Sequence, residues 1–162
     1  MLNRRLLIAT ALGLGMPAAW AHGNTHAKKP GPLKREQKAW GRAGLAKEVK
    51  RSIDIRMSDR MRFAPDLLQL RLGQTARLRI HNEGKMLHEL VLGTAQDLEE
   101  HAVLMLKFPD MEHDEPHMAH VAAGSVGEIV WQFNRAGEFH FACLIAGHFQ
   151  AGMRGRFVVA KA

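Results

Sequence analysis

The sequence predicts an all-β domain, a sandwich of about seven or eight short strands with one short helical insertion. Three observations carry that expectation. From Val49 onward, apolar residues recur with a period of two in several short runs. Turn formers such as Gly73-Gln74, Asn82-Glu83-Gly84-Lys85 and Asn134-Arg135-Ala136-Gly137 separate those runs. Only Thr94 to Lys107 replaces the strand rhythm with a helical one.

The residues before Val49 have a different character. Arg4 and Arg5 precede an apolar stretch from Leu6 to Met16, and Ala19-Trp20-Ala21 closes it with an A-x-A-like cleavage pattern. That is the layout of a secretory signal peptide over residues 1–21, and the apolar run is too short to span a bilayer. Residues 22–47 are rich in Gly, Pro, Lys and Ala and read as a flexible, partly helical basic leader. The domain proper is expected over residues 48–162. Cleavage after Ala21 leaves His22 at the new N-terminus with His26 close behind. An α-amine and an imidazole there form a candidate metal chelate; the plain alternative is a tail that happens to hold two histidines.

With 162 residues, 46% apolar and 24% charged, the chain has the composition of a soluble globular protein with one ordinary core. The formal charge of +7 drops by two when Arg4 and Arg5 leave. Much of the remaining excess lies between Lys28 and Arg51. A solvated tail accounts for it, and no basic motif interleaved with aromatics points to nucleic acid. Export places the chain in a bacterial periplasm, with no stable membrane insertion expected.

Taken in order, the strands begin with Ile53, Ile55 and Met57 alternating with Asp54 and Arg56. Leu68, Leu70 and Leu72 follow Phe63-Ala64-Pro65-Asp66. Ala76, Leu78 and Ile80 then alternate with Arg77, Arg79 and His81, which assigns His81 to the surface. In His88-Glu89-Leu90-Val91-Leu92, parity puts His88 on the face of Leu90 and Leu92. A histidine there is either a hydrogen-bonded structural group or a ligand. Thr94 and Asp97 resemble a capping box, acids fill the first turn, and Leu98, Ala102, Met105 and Leu106 form one apolar face ahead of Pro109. Strand rhythm resumes from Ser125 to Phe133, with Ile129, Trp131 and Phe133 facing inward. Phe139, Phe141 and Cys143 share the inner face of the next strand, with His140 outward. Gly155 to Ala160 closes the series.

Cys143 is the only cysteine. In an oxidising compartment a lone thiol calls for burial, metal coordination or a catalytic role. His148 and Met153 follow it at five-residue intervals. Five extended residues span roughly 17 Å, so the three meet only if the chain folds back. Gly147 and Gly152 are the residue type that permits this. A thiolate, an imidazole and a thioether suit copper, and a trigonal Cys/His/His site with a weak axial Met needs one more histidine. His88 is the leading candidate.

The stretch from Cys143 to Met153 resembles the copper-binding loop of the cupredoxins, the blue copper proteins. The resemblance extends to the turn before His88, to Phe63-Ala64-Pro65, Gly73-Gln74 and Phe139-His140-Phe141-Ala142, and covers about Val49 to Ala160. It implies a Greek-key sandwich and one type 1 copper. It makes His88 and His148 equatorial nitrogen ligands, Cys143 the equatorial thiolate and Met153 the axial thioether. Backbone donors near the sulfur are expected from Gly147 or Phe149.

A second cluster runs from Lys107 to His120. With Met111, His113, His117, Met118 and His120 it resembles segments of the periplasmic cupredoxins associated with bacterial copper tolerance. Together with His22 and His26 these are candidate auxiliary copper ligands. The alternative is an acidic loop over the copper end, with Met111 or Met118 packed as a lid.

The function expected is therefore redox-active copper handling, with a periplasmic redox or copper-handling protein as partner. The alternative is a small electron carrier docking through an apolar edge of His148, Phe149, Ala151 and Met153. An oxidase is disfavoured because the chain has no His-x-His pair of the kind trinuclear copper centres use. A Cys143/His148 hydrolase is the other enzyme class, and zinc makes poor use of the thioether at Met153.

Overall fold

A computed structural model describes residue 33, residues 35–111 and residues 114–161. The signal peptide, the first part of the leader with His22 and His26, and His113 lie outside these described residues. The strands are β1 (Arg42–Ala43), β2 (Arg51–Ser58), β3 (Arg62–Ala64), β4 (Leu67–Arg71) and β5 (Gln74–Asn82), then β6 (His88–Gly93), β7 (Met118–Val121), β8 (Val126–Phe133), β9 (Gly137–Ala142) and β10 (Arg154–Ala160). Among the described residues one α-helix, α1 (Ala95–Lys107), lies between β6 and β7, and a short 3-10 helix spans Ala46–Glu48. The strands form two five-stranded sheets, ordered β1-β8-β5-β2-β3 and β4-β10-β9-β6-β7.

The first sheet follows the alternation in the sequence. Ile53, Ile55 and Met57 of β2, Ala76, Leu78 and Ile80 of β5, and Ile129, Trp131 and Phe133 of β8 are all buried. β2 and β5 run parallel with Ile53 beside Leu78 and Ile55 beside Ile80, while β8 is antiparallel to β5. The second sheet contributes Leu68, Leu70, Leu90, Leu92, Phe141, Phe157 and Val159 to the same core. Aromatic rings meet edge to face within it, Phe63 with Phe141 at 5.0 Å and Phe133 with Phe157 at 5.3 Å between centroids. Such pairs add roughly 0.5–1.5 kcal/mol beyond the area they bury.

Strand β6 departs from simple alternation, because all six of its residues are buried. Leu90 and Leu92 face the sandwich interior. Val91 instead joins a second apolar cluster with Leu98, Ala102 and Met105 of α1, together with Met118, Ala142, Leu144 and Phe149. The helix thus roofs the outer face of the second sheet. Its N-cap is Thr94, whose hydroxyl accepts from the Asp97 amide at 3.1 Å, as the sequence implied. Leu106 is half exposed rather than part of the apolar face. The buried stripe keeps the i, i+4, i+7 positions and no more.

Three short strands were not foreseen. β1 lies inside the stretch expected to be a leader and pairs with β8. Trp40 is buried there, and its carbonyl accepts from Trp131 Nε1 at 3.1 Å. Arg35 adds an ion pair to Glu48 at 2.8 Å. The packed unit therefore begins ahead of the boundary expected at residue 48. β3 is an edge strand on β2, and β7 pairs antiparallel with β6. The acidic, histidine-rich stretch read as a loop thus ends in a strand, because the edge of β6 offers its backbone a partner.

His117 precedes β7 and stacks edge-on against Trp40 at 5.6 Å and Trp131 at 6.1 Å. Burial, followed by the nearby Lys38 charge, pushes its imidazole below the ordinary value of 6.5. Above pH 6.5 the ring is neutral in both folded and unfolded chains. As the pH falls below that value the unfolded chain takes up the proton first, so stability is lost until the folded ring also titrates. Urea unfolding between pH 7.5 and 5 should therefore show a smaller acid loss in His117→Gln than in the wild type. Parallel stability curves would refute this.

Candidate metal centre

Three elements deliver the candidate ligands to one end of the sandwich. His88 opens β6 and is fully enclosed. Its Nε2 lies 3.1 Å from Asp59 Oδ1. Asp59 in turn accepts the amides of Lys85 at 2.8 Å and Met86 at 3.3 Å. The Lys85 amide and then the His88 ring hold its carboxyl below the usual range, against the opposing effect of burial. An ionised carboxylate only accepts, so Nε2 carries the proton and Nδ1 the lone pair. That Nδ1 is buried and has no hydrogen-bond partner.

Cys143 follows directly on β9 and has no exposed surface. Its amide donates to the Met153 carbonyl at 3.1 Å, which closes the intervening loop. The fold-back inferred from the glycines is realised, with φ of 87° at Gly147 and 91° at Gly152, both in the left-handed region. Within the loop the His148 amide donates to Ile145 O at 2.9 Å, and the Met153 amide donates to His148 O at 3.1 Å. Outside it, Arg62 Nη1 donates to Ala151 O at 3.0 Å and Arg154 Nε donates to Phe149 O at 3.1 Å. These bonds hold His148 over Cys143, with His148 Nδ1 at 3.3 Å from Sγ.

The His88 and His148 rings lie 5.0 Å apart. One donor atom each from His88, Cys143 and His148 falls within 4.8 Å of the others. Among the described residues no other three His, Cys, Asp or Glu side chains gather this way. Met153 is wholly buried in the same core cluster as Cys143. Burial pushes the Cys143 thiol up to about 12, with the Glu89 charge adding to it and the Glu89 and Ile145 amides opposing. Burial, then His88, lowers the His148 imidazole below its ordinary value. Two imidazoles beside a sulfur, with the buried His88 Nδ1 left without a hydrogen-bond partner, fit a soft or borderline cation, and the donor set suits copper.

Two supporting residues carried no clear sequence signal. Asp59 lies 29 positions before His88, in a turn where an acid is unremarkable. Glu89 alternates with His88 and Leu90 along the strand, yet it is fully buried as they are. Its amide donates to Cys143 Sγ at 3.4 Å, and its Oε1 accepts from the Leu144 amide at 2.8 Å. The backbone donors expected from Gly147 or Phe149 are instead the amides of Glu89 in β6 and Ile145 in the loop. The amphipathic helix following β6 was the available clue, since its apolar stripe requires a sheet face to cover.

The auxiliary candidates do not converge as a set. His117 packs between Trp40 and Trp131, and Met118 is buried beneath α1. His120 pairs with Glu89, its Nε2 at 2.8 Å from Oε2. His120 and Met111 both line one groove beside the centre. His81 bonds to Asp54 at 2.7 Å and is not among the gathered candidate ligands, in keeping with its assignment. Phe149 and Met153 are buried, so the apolar docking edge expected around His148 is not built from them.

No family model matches the chain. Among curated proteins it is similar to a copper-resistant cuproprotein CopI of Rubrivivax gelatinosus, 51% identical over 120 residues that cover 74% of this chain and 73% of that protein. A copper-resistant cuproprotein CopI of Pseudomonas aeruginosa is 31% identical, covering 98% of this chain and 99% of its own. Among solved structures, auracyanin B superposes with a TM-score of 0.61 at 21% identity, over 74% of this chain and 95% of that one. An azurin of Methylomonas sp. strain J does so with a TM-score of 0.57 at 14% identity, over 68% and 98%. The fold is thus that of the cupredoxins, and the chain belongs to the family of the copper-resistant cuproproteins CopI.

Proposed function

We propose that this protein is a periplasmic copper-binding protein of copper tolerance, with a type 1 centre formed by His88, Cys143, His148 and Met153. The observation that carries the reading is the gathering of the His88, Cys143 and His148 donors around an enclosed, unpartnered His88 Nδ1. Copper held there would supply one-electron chemistry in a ligand set acceptable to both of its common oxidation states. The similarity to copper-resistant cuproproteins supports tolerance as the setting. The signal-peptide pattern over residues 1–21 supports the periplasm, and no described helix is long and apolar enough to cross a membrane.

Each supporting residue has a definable task. Asp59 fixes the His88 tautomer and ring orientation, a carboxylate–imidazole arrangement that also raises the basicity of Nδ1. The Glu89 amide donates to the Cys143 sulfur, which withdraws electron density from it and favours the reduced state. Cys143 must surrender its proton to ligate. With the thiol pushed up to about 12, only a cation of high thiolate affinity displaces that proton near neutral pH. Met153, buried against the same core cluster as Cys143, would supply the thioether. A redox or copper-handling protein of the periplasm is the corresponding partner, and the role is binding rather than catalysis.

Titration of metal-free protein with Cu(II) should develop an intense visible thiolate-to-copper band with a matching paramagnetic signal, both lost in Cys143→Ser. A wild type without the band would overturn the centre. A deletion strain should become copper-sensitive, and unchanged growth on copper would remove the tolerance role. Asp59→Ala should weaken copper about 10–100-fold in competition with a chelator, whereas Asp59→Asn, which keeps an acceptor oxygen, should lose less. Equal affinity in wild type and Asp59→Ala would show that the carboxylate does not position His88.

A further inference from the structure

The turn joining β2 to β3 reaches both of the segments that carry the candidate ligands. Asp59 opens that turn and holds the amides of Lys85 and Met86 and the ring of His88. Arg62, at the start of β3, reaches the ligand loop instead. Its Nη1 donates to Met61 O at 2.7 Å and to Ala151 O at 3.0 Å. We propose that Arg62 is a positioning residue for the metal centre, clamping the Met153 end of the loop to the turn that holds His88 and so setting the approach of the thioether. The inference rests on the reading of His88, Cys143, His148 and Met153 as ligands, and concerns how they are held rather than which they are.

Both ends of the clamp are built for it. At the loop end, a Cβ on Gly152 would lie 3.1 Å from Arg62 Nη1 and 3.7 Å from its Cζ, so the guanidinium rests against bare backbone one residue before Met153. At the turn end, Met61 has a φ of 59°, the one positive value at a non-glycine residue among the described residues. Such a conformation persists only where its surroundings over-determine it, and it collects at functional sites. Here the Met61 amide donates to Ser58 O at 2.9 Å, the side chain packs against the core, and the carbonyl accepts from Arg62. The clamp is anchored on a fixed turn.

Its placement gives it leverage. β3 belongs to the first sheet, whereas the loop joins β9 to β10 of the second, so Arg62 ties the loop to the opposite layer of the sandwich. An axial thioether bond to copper is weak and long, and cannot set its own length against the protein. The position of Met153 must come from its backbone, and Arg62 holds the carbonyl two residues before it. Arg62 is itself exposed, so it contributes little to the core and its replacement leaves the sandwich intact.

The test loads full-length Arg62→Gln, Arg62→Lys and Arg60→Gln with Cu(II) and measures the visible spectrum and the midpoint potential. Lysine keeps the charge and loses the planar fork, whereas Arg60→Gln removes the same charge from the same turn. Loss of a nearby cation favours Cu(II) and lowers the potential, while a retreating thioether favours Cu(I) and raises it. Arg62→Gln should therefore raise the potential, change the ratio of the thiolate-to-copper bands and weaken Cu(II) about tenfold against a chelator. Arg62→Lys should shift potential and bands in the same direction, and it decides alone if Arg62→Gln fails to fold. Arg60→Gln should leave the bands unchanged and the potential level or lower. In the metal-free chain, hydrogen exchange at the Gly152 and Met153 amides should quicken in Arg62→Gln. A potential that falls alike in Arg62→Gln and Arg60→Gln, with the band ratio of the wild type, would overturn the positioning role. A wild type without the visible band would overturn the ligand reading instead, and the metal-free exchange rates would still report whether Arg62 holds the loop.

Discussion

The attachment of strand β6 to the start of the ligand loop through Glu89 is the constraint on which the rest of the metal end depends. One residue makes three connections: its amide to Cys143 Sγ, one carboxylate oxygen to the Leu144 amide, and the other to His120. An isolated buried carboxylate costs several kcal/mol, so this position is tolerable only with those partners in place. The requirement acts outward. His88 is brought opposite Cys143, β7 is drawn alongside β6 to supply His120, and α1 must cover the face on which Val91 lies.

The centre is accordingly held by backbone more than by side-chain packing. Cys143 is tied to Met153, Met153 to His148 and His148 to Ile145 by main-chain hydrogen bonds. Arg62 and Arg154 fasten the loop's outer carbonyls from β3 and β10. Ligand geometry set this way resists change when a bound ion gains or loses an electron, because altering it would break several bonds together.

Much of the architecture was legible because burial imposes a period of two. The inner faces of β2, β5 and β8, and the inward turn of Cys143, follow from alternation alone. The Cys143–Met153 loop was legible because its chemistry is local, with glycines where the chain must reverse. What escaped notice depends on long-range partners. β7 reads as an acidic loop until β6 presents an edge, and Trp40 reads as part of a tail until Trp131 donates to its carbonyl. Glu89 defeats parity because the strand is covered on both faces, a fact residing in the helix rather than in the strand. Asp59 acts across 29 positions and leaves no local trace.

The complete enclosure of Cys143 beside a half-buried His148 has a kinetic consequence. The sulfur has no surface of its own, so oxidants, chelators and incoming ions reach it through the space that the His148 ring covers. That ring is carried on the loop whose reversals lie at Gly147 and Gly152. An ion held by these donors would leave at a rate set by displacement of that loop as well as by the strength of the bonds to the ion. Residence time and affinity become separately adjustable, the first through the loop and the second through the ligands.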